Sequence, residues 1–458
     1  MARQLFGTDG IRGVAGQYPL DRKTVYATGA ALGKLASRLG PAPEVIVGID
    51  TRESGPWIAG HVAGGLVQAG AQPRFAGLIT TPGIAYLTRM NSFVAGVVIS
   101  ASHNPYQDNG IKIFGHSGYK LPDEREADLE SEIFALIQGG VEPVEAPLTE
   151  DQGLDERYLE FLCSTFPHRL EGLKIVVDCA NGAATRLGPA LFARLGARVE
   201  TVDCAPNGRN INLNCGALHV ERLREAVPAL GADLGVALDG DADRAILVSR
   251  TGKIVDGDGV LLITARHLAA KGELTGPDGR PTVVATVMSN LGLERALGRN
   301  GIAMLRTAVG DKYVLEEMLR QGAVLGGEQS GHVIFHKYAT TGDGLMTTLR
   351  VLEVMLEAGA GLDELTGDLE RFPQRLVNIH VRAKRPFEEI PEVREAMRAA
   401  EQAFGESGRI LVRFSGTELL ARVMVEGADP RMVDQHAERI AAAIKKAIGA
   451  AQQSSTTL

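Results

Sequence analysis

The chain has 458 residues, enough for three or four domains at about 150 residues each. Hydrophobic residues make up 45% and charged residues 23%, a globular composition that excludes a largely disordered chain. The net charge of −8 and the 5% aromatic content argue against a nucleic-acid partner, which calls for basic surfaces and stacking rings. No stretch of about 18 apolar residues occurs, and residues 1–13 lack the apolar centre of a secretion signal. We therefore expect a soluble cytoplasmic protein without a membrane partner.

The four cysteines are too irregularly spaced for a zinc site or a small disulfide scaffold, and no CxxC pair occurs. They are Cys163, Cys179, Cys204 and Cys215. We expect reduced thiols, as in most proteins of the cytosol.

Short β-branched runs alternate with helical patterns along most of the chain. Strands are predicted at residues 44–50, 93–100, 173–178, 233–239 and 282–287, and helices at 24–39, 189–195 and 220–230. Residues 245–249 are predicted to form a hairpin-like partner of the strand at 233–239. Continuous apolar strands separated by helices are typical of parallel α/β layers. Because sites in such folds lie beyond the carboxyl ends of strands, the loops that follow these runs are the candidate functional segments.

Breaks in these patterns predict four domains, at residues 1–150, 151–254, 255–369 and 370–458. Repetition of one α/β unit in the first three is plausible from the order of elements, but internal identity is weak. The last block changes character, with strands at 375–381, 410–414 and 421–426 and helices at 391–404 and 430–448. That pattern is typical of an α+β domain with an antiparallel sheet.

The first candidate loop, SASHNPYQDNGIKIFG at residues 100–115, directly follows a predicted strand. Its turn dipeptides would hold Ser102 in a defined, exposed place. A serine hydroxyl needs a base or a cation to become a useful nucleophile, and His103 and Lys112 are candidates for that help. A polar surface loop with a capping serine is the alternative.

The second loop, DGDADR, places Asp239, Asp241 and Asp243 at alternate positions after a strand. Three carboxylates so arranged can converge on a hard divalent cation such as Mg²⁺. An EF-hand is excluded, because its sixth position would be Arg244 and its twelfth Arg250. A solvated acidic turn without a metal remains open.

The third loop is GGEQSGH at residues 326–332, predicted to follow a strand at 323–325. The two leading glycines would allow the backbone to approach a ligand closely. Glu328 could accept hydrogen bonds from adjacent sugar hydroxyls, with Ser330 and His332 beside it. A plain turn is the alternative.

The fourth loop, RFSGT at residues 413–417, lies between two predicted strands, with Arg422 close behind. Arginine, hydroxyls and the amides around Gly416 would suit a phosphate, although a plain hairpin turn explains the segment equally well. No Walker A motif competes, since residues 29–34 have the wrong spacing.

With these loops in order, the chain resembles the α-D-phosphohexomutase superfamily along nearly its whole length. The segments that carry the resemblance are FGTDGIRG, SASHNP, DGDADR, GGEQSGH and RFSGTE. Residues 207–219 (NGRNINLNCGALH) and 340–344 (TTGDG) are similar to the branch of the family that acts on glucosamine phosphates. The resemblance implies three related α/β domains and a C-terminal α+β domain around a cleft. It also implies exchange of a phosphoryl group between O6 and O1 of glucosamine, feeding UDP-N-acetylglucosamine synthesis.

The resemblance also assigns residues to roles. Ser102 would be the phosphoserine, and a phosphate oxygen on it would join Asp239, Asp241 and Asp243 in holding one Mg²⁺ per chain. Catalytic roles are implied for Ser102, Lys112, Arg12 and His332. Substrate binding is implied for Arg244, Glu328, Gln329, Ser330, Arg413, Ser415, Gly416, Thr417 and Arg422. Phe414 and Leu419 stand where the family usually has proline.

The expected partners are a small sugar phosphate and a bisphosphate or kinase that first phosphorylates Ser102. A homodimer is left open. Two other functions also stay open, namely a mutase for mannose or glucose phosphates and a phosphatase or non-catalytic binder of sugar phosphates.

Overall fold

The computed structural model describes residues 4–7, 9–90, 92–415 and 419–450. The chain forms two compact units, Met1–Met288 with Gly301–Gly367, and Ser289–Asn300 with Asp368–Leu458. Among the described residues, no helix combines the length and the hydropathy needed to cross a membrane. The four cysteines, all of them described, are free thiols.

The described strands are β1 Phe6–Gly7, β2 Gly10–Val14, β3 Glu44–Ile49, β4 Gln72–Leu78, β5 Ala95–Ile99, β6 Asp108–Gly115, β7 Lys174–Asp178, β8 Arg198–Val202, β9 Leu234–Leu238, β10 Ala245–Ser249, β11 Ile254–Val255, β12 Thr282–Thr286, β13 Ala303–Thr307, β14 Leu325–Gly327, β15 Val333–Phe335, β16 Gln374–His380, β17 Gly408–Phe414 and β18 Leu420–Gly427.

The described α-helices are α1 Arg22–Ser37, α2 Gly55–Gln68, α3 Thr81–Met90, α4 Asp123–Gln138, α5 Leu154–Ser164, α6 Leu187–Arg194, α7 Glu221–Ala229, α8 Gly257–Ala270, α9 Leu291–Gly298, α10 Asp311–Gln321, α11 Gly344–Ala358, α12 Leu362–Leu365, α13 Pro391–Phe404 and α14 Pro430–Ile448. Single 3₁₀ turns occur at Gly216–Leu218, Pro277–Gly279, Phe387–Glu389 and Gly405–Ser407.

The first unit contains three sheets, with strand orders β1-β2-β6-β5-β3-β4, β11-β10-β9-β7-β8 and β13-β12-β14-β15. Strands β5, β9 and β12 are buried along their whole length, which explains their unbroken apolar sequences. The α/β class is therefore confirmed.

The three sheets also share a departure from the expected parallel layers. In each sheet, the strand that enters a candidate loop is followed by an antiparallel strand, so that the loop closes a hairpin. These hairpins are β5–β6, β9–β10 and β14–β15. The sequence predicted this reversal only for β9 and β10, because a buried strand is apolar whichever way its neighbour runs. Three equivalent hairpins thus present the serine, aspartate and glutamate loops.

The third hairpin corrects one expectation from sequence. Gly326 and Gly327 belong to β14 rather than to a ligand loop. A Cβ atom on Gly326 would lie 2.6 Å from Sδ of Met318 and 2.8 Å from the carbonyl oxygen of Val284. This glycine therefore allows β14 to pack closely on α10 and β12, and the loop itself begins at Glu328.

The second unit is built on an antiparallel sheet in the order β16-β18-β17, as predicted for the last block. Helices α13 and α14 pack against this sheet and bury apolar side chains, among them Val393, Val433 and Ile440. Helix α9 joins the same unit through Glu426, whose carboxylate accepts a hydrogen bond from the backbone N–H of Leu291 at 3.0 Å.

Candidate active site

The serine and aspartate loops meet in the first unit. Ser102 Oγ donates a hydrogen bond to Oδ2 of Asp239 at 2.7 Å. A cavity of about 400 Å³ opens beside this contact. Its lining residues are Leu5, Gly7, Asp9, Gly10, Arg12, Ser102, His103, Asp243, Arg244, Val309, Gly310, Asp311, Glu328 and His332. Loops from all three sheets of the first unit line this cavity, which we call the cleft.

Ser102 occupies an unusual backbone conformation just beyond β5. Its φ is +53°, in the left-handed region that few residues other than glycine adopt. Its N–H donates to Oγ of Ser100 at 3.0 Å, which fixes the start of the turn. The aspartate loop approaches so closely that a Cβ atom on Gly240 would lie 2.5 Å from the carbonyl oxygen of Ser102. Only glycine therefore fits at position 240.

The three aspartates form a buried acidic cluster. One carboxylate oxygen from each of Asp239, Asp241 and Asp243 lies within 4.8 Å of the others. Burial and the charges of Asp243 and Asp241 raise the pKa of Asp239 well above its usual value. Oδ1 of Asp241 and Oδ1 of Asp243 are buried without a hydrogen-bond partner among the described residues. Hard carboxylate oxygens that repel one another and lack donors fit a divalent cation.

Lys112 on β6 supplies the nearest fixed positive charge. Its Nζ lies 2.8 Å from Oδ2 of Asp241, 3.0 Å from Asp9 and 3.6 Å from Asp243. Burial alone would lower the pKa of Lys112, but the three carboxylates outweigh it and raise the pKa. Lys112 is therefore a cation fixed within the buried acidic cluster.

A second group of charged residues lies at the cleft, and only Arg12 among them was named from the sequence. Asp9 makes ion pairs with Arg12 and Lys120, and Lys120 also pairs with Asp311 at 2.6 Å. Burial opposes the Asp9 charge, but Lys112, Lys120 and Arg12 hold the pKa of Asp9 well below its usual value. Asp9 lies in the FGTDGIRG segment that carries the family resemblance, whereas Lys120 and Asp311 come together only through the fold.

Two further basic groups flank the serine. The backbone N–H of Arg244 donates to Oδ1 of Asp239 at 3.2 Å, and its side chain lines the cleft. Nδ1 of His103 lies 3.2 Å from Ser102 Oγ. Burial and the charges of Arg244 and Arg12 lower the pKa of His103 to about 4, so its ring is neutral near pH 7.

The TTGDG segment, residues 340–344, contacts the ring of His332. The backbone N–H of Gly342 donates to Nε2 of His332 at 2.9 Å, so the ring proton lies on Nδ1. That nitrogen lies 3.6 Å from Oδ1 of Asp243. Asp343 caps α11 and accepts a hydrogen bond from the Tyr158 hydroxyl at 2.6 Å. The segment therefore fixes the tautomer of His332 against the aspartate cluster.

The third hairpin brings Glu328 into the cleft. Its Oε1 accepts a hydrogen bond from the N–H of Gly310 at 3.1 Å. Gln329 and Ser330 follow in the same turn, and they are not among the described residues that line the cleft. The carbonyl oxygen of Gln329 accepts a hydrogen bond from Gly257, and Ser330 is exposed.

The predicted phosphate loop lies in the second unit. Arg413 on β17 and Arg422 on β18 are direct cross-strand partners. Burial and the charge of Arg422 lower the pKa of Arg413. Ser415 accepts a hydrogen bond from Lys384 at its carbonyl oxygen, at 2.6 Å. Gly416 and Thr417 lie outside the described residues. Three positive side chains therefore converge on this hairpin.

Phe414, at the end of β17, has its own structural role. Its ring stacks on Phe387, with centroids 4.2 Å apart and planes 20° from parallel. The aromatic pair anchors the end of β17 on the core of the second unit.

This combination of fold and site defines an enzyme of phosphoryl transfer on sugars, and the chain belongs to the phosphoglucomutase/phosphomannomutase family. The alpha/beta/alpha domain I of that family matches residues 3–139, domain II residues 156–252, domain III residues 256–372 and the C-terminal domain residues 376–443.

Two curated relatives that match almost the whole chain share one name. The chain is 61% identical over 449 residues to "Phosphoglucosamine mutase" of Solibacter usitatus, covering 98% of this chain and 100% of the relative. It is 52% identical over 464 residues to the protein of the same name from Koribacter versatilis, covering 98% of each chain.

Solved structures share the fold. A phosphoglucomutase/phosphomannomutase family protein from Burkholderia thailandensis aligns with a TM-score of 0.79 and 24% identity, covering 96% of this chain and 97% of that one. N-acetylphosphoglucosamine mutase from Aspergillus fumigatus, in complex with GlcNAc-6P and magnesium, aligns with a TM-score of 0.66 and 19% identity. That alignment covers 97% of this chain and 96% of the other.

Proposed function

We propose that the protein interconverts glucosamine 6-phosphate and glucosamine 1-phosphate through a phosphoserine at Ser102 and a 1,6-bisphosphate intermediate. The observation that most supports this proposal is the hydrogen bond from Ser102 Oγ to Asp239, in a buried cluster that also contains Lys112. The 61% identity to a phosphoglucosamine mutase supports the choice of sugar. The product is the precursor from which UDP-N-acetylglucosamine is made.

The reaction consists of two transfers in opposite directions. In the first, the bond from phosphorus to Ser102 Oγ breaks, a bond to O1 of glucosamine 6-phosphate forms, and the O1 proton ends on Oγ. The bisphosphate then turns over, so that its 6-phosphate faces Ser102. In the second, the bond from phosphorus to O6 breaks, a bond to Ser102 Oγ forms, and the Oγ proton ends on O6, which leaves glucosamine 1-phosphate and regenerates the phosphoserine.

The cleft residues carry out the electrostatic part of this chemistry. Phosphoryl transfer depends on positioning and on neutralising charge more than on covalent assistance. We assign Lys112, Arg12 and Arg244 to the charge on the transferred group. His332, whose Nδ1 proton faces Asp243, orients the acidic cluster.

The aspartate cluster would hold one Mg²⁺. Asp239, Asp241 and Asp243 offer the oxygen ligands, and Oδ1 of Asp241, which is buried without a hydrogen-bond partner among the described residues, supports this assignment. A phosphate oxygen on Ser102 would complete the set. When bound, the ion supplies positive charge to the phosphoryl oxygens.

Two sets of residues are assigned to the substrate. Glu328, Gln329 and Ser330 are assigned to the sugar hydroxyls and amine. Arg413, Ser415, Gly416, Thr417 and Arg422 are assigned to the phosphate that does not react. Two arginines directly opposite each other on neighbouring strands repel, and a bound phosphate would relieve that repulsion. The A. fumigatus enzyme was solved with GlcNAc-6P and magnesium, the classes of ligand proposed here.

Three expectations remain predictions: the positions of the domain boundaries, a cytoplasmic location, and a bisphosphate or kinase that first phosphorylates Ser102. A homodimer stays open.

A coupled assay across hexose 6-phosphates tests the proposed function. We expect glucosamine 6-phosphate to have the highest kcat/KM, with almost no release of inorganic phosphate. A higher kcat/KM for glucose or mannose 6-phosphate would assign the protein to the other branch. Stoichiometric release of inorganic phosphate would make it a phosphatase.

A further inference from the structure

We propose that Asn212 and Arg52 are positioning residues that hold the main chain of the serine loop in register for phosphoryl transfer. The segment 207–219, similar to the glucosamine branch, would then act on the serine rather than on the sugar. This inference rests on the proposed role of Ser102.

Two side chains donate hydrogen bonds to the same two carbonyl groups. Nδ2 of Asn212 donates to the carbonyl oxygens of Ser102 and Asn104, at 2.9 and 3.0 Å. One terminal nitrogen of Arg52 donates to the same two oxygens, at 3.1 and 2.6 Å. Each carbonyl thus receives two hydrogen bonds, and we call these four contacts the carbonyl clamp.

The serine loop needs such support because its conformation is unfavourable on its own. Ser102 has a left-handed φ, and its carbonyl oxygen points toward the closely packed Gly240. Buried carbonyl groups must be hydrogen-bonded, and the turn has no ladder partner at this point. The clamp satisfies both carbonyls, and by fixing the peptide planes it fixes the direction of the Ser102 side chain.

Arg52 is placed for this role rather than for contact with phosphate. Its side chain is fully buried and pairs with the carboxylate of Asp50. The backbone N–H of Arg52 also donates to Asp50, at 3.0 Å. One terminal nitrogen of the guanidinium pairs with the Asp50 carboxylate, which balances the charge. The other terminal nitrogen donates to the carbonyl oxygens of the serine loop.

Asn212 connects the carbonyl clamp to the loops of the second sheet. Its own φ is +57°, and its N–H donates to the carbonyl oxygen of Ala180 at 2.9 Å. The same segment docks beside Arg52, because the N–H of Glu53 donates to the carbonyl oxygen of Gly208 at 3.0 Å. Arg209 also pairs with Glu53 at 2.6 Å. The clamp therefore ties the serine loop to both the first and the second sheet.

The described residues that line the cleft include neither Arg52 nor Asn212. Weakening the clamp should therefore leave sugar binding intact and misalign Oγ in both transfers. Misplacement of a reacting group by about 1 Å can cost a hundredfold in rate. The expected signature is a lower kcat in both directions with an unchanged KM.

The test uses Asn212→Gly and Asn212→Asp. Glycine keeps the left-handed backbone and removes the amide donor. Aspartate keeps the shape but turns an acceptor toward two carbonyl oxygens, so it should be at least as harmful. We expect kcat to fall about tenfold to a hundredfold, KM to stay within about twofold, and hydrogen exchange of residues 101–106 to accelerate.

Asn214→Gly and Asn214→Asp are matched controls. Asn214 has the same left-handed backbone in the same segment, with φ at +54°, and it is exposed. These variants should keep the wild-type kcat and exchange rates. Arg52→Lys, which keeps the charge and loses the planar fork, should repeat the Asn212 pattern.

Several results would overturn the proposal. They are a wild-type kcat in both Asn212 variants, a change in KM alone, an equal loss in the Asn214 variants, or unchanged exchange of residues 101–106. The exchange measurement needs no catalysis, so it still tests the clamp if the wild-type protein proves to lack mutase activity.

Discussion

Ser102 Oγ lies 2.7 Å from Oδ2 of Asp239, although 137 positions separate the two residues in the chain. The contact joins equivalent places in two sheets, because each residue stands in the turn of a hairpin that follows a buried strand. A nucleophile and a cation-binding cluster are thus brought together by repetition of one structural unit.

Magnesium should stabilise the protein against heat. Three buried carboxylates repel one another, and an ion bound at 100 times its dissociation constant contributes about 2.7 kcal/mol. We expect Mg²⁺ to raise the Tm of the wild type by several degrees and Asp241→Asn to lose most of that increase. Differential scanning fluorimetry with and without a chelator makes the comparison.

Asp203→Asn is the control for that experiment, because Asp178, Asp203 and Cys215 form another group that could hold a metal. It should keep the full Mg²⁺ response. An equal loss in both variants, or activity that persists in excess chelator, would contradict the assignment to the aspartate cluster.

Arg413→Ala should raise KM in both reaction directions. The phosphate bound there reacts in neither transfer, so substrate and product lose the same contact. Loss of a charge-assisted hydrogen bond costs about 1.5–3 kcal/mol, or roughly tenfold to more than a hundredfold in KM. Steady-state kinetics in both directions measure the effect. Arg375→Ala, on β16 at the other edge of the same sheet, is the control, and a one-directional effect would contradict a shared phosphate site.

Gln329→Met should reduce the preference for the amino sugar. The Gln329 side chain makes no hydrogen bond to a residue that the structure describes, and its amide offers both a donor and an acceptor for an amine at C2. We expect the ratio of kcat/KM for glucosamine 6-phosphate to that for glucose 6-phosphate to fall about tenfold, the value of one hydrogen bond. If the ratio stays constant, other residues discriminate between the sugars.

The sequence was most informative where local chemistry and local structure coincide. The ranges of α13, α14 and β10 were predicted to the residue, because strong amphipathic or apolar patterns end at proline, glycine or charged residues. The serine and aspartate loops were found for a similar reason, since each follows an unmistakable buried strand.

Long-range contacts had no such local signal. Lys120 and Asp311 are 191 positions apart, and neither stands in a pattern that points to the other. The contact of Asn212 with Ser102 depends on how two sheets pack, which no single-sequence period encodes. The antiparallel direction of β6 and of β15 was missed because apolar burial does not report it.

Asp178 should make the stability of the fold depend on pH. Burial raises its pKa from 3.8 to about 7, although the N–H groups of Ala180 and Gly216 oppose the rise. Because the folded-state pKa is raised, the contribution to stability is complete below the unfolded value and is lost as the pH rises through about 7. A shift of this size corresponds to at most about 4 kcal/mol.

The measurement is the Tm of Asp178→Asn minus that of the wild type, between pH 4 and pH 8. Asparagine cannot titrate, so this difference should become steadily more positive as the pH rises. A difference that stays constant across the range would show that Asp178 titrates at its ordinary pKa.

The central claim is that Ser102 carries the phosphoryl group, and mass spectrometry of the intact protein with phosphopeptide mapping tests it most directly. After incubation with glucose 1,6-bisphosphate, the protein should gain one phosphoryl group on Ser102 and lose it to glucosamine 6-phosphate without releasing inorganic phosphate. Ser102→Ala should gain none and lose several orders of magnitude in turnover. A phosphoryl group mapped to another residue, or full turnover by Ser102→Ala, would contradict the account.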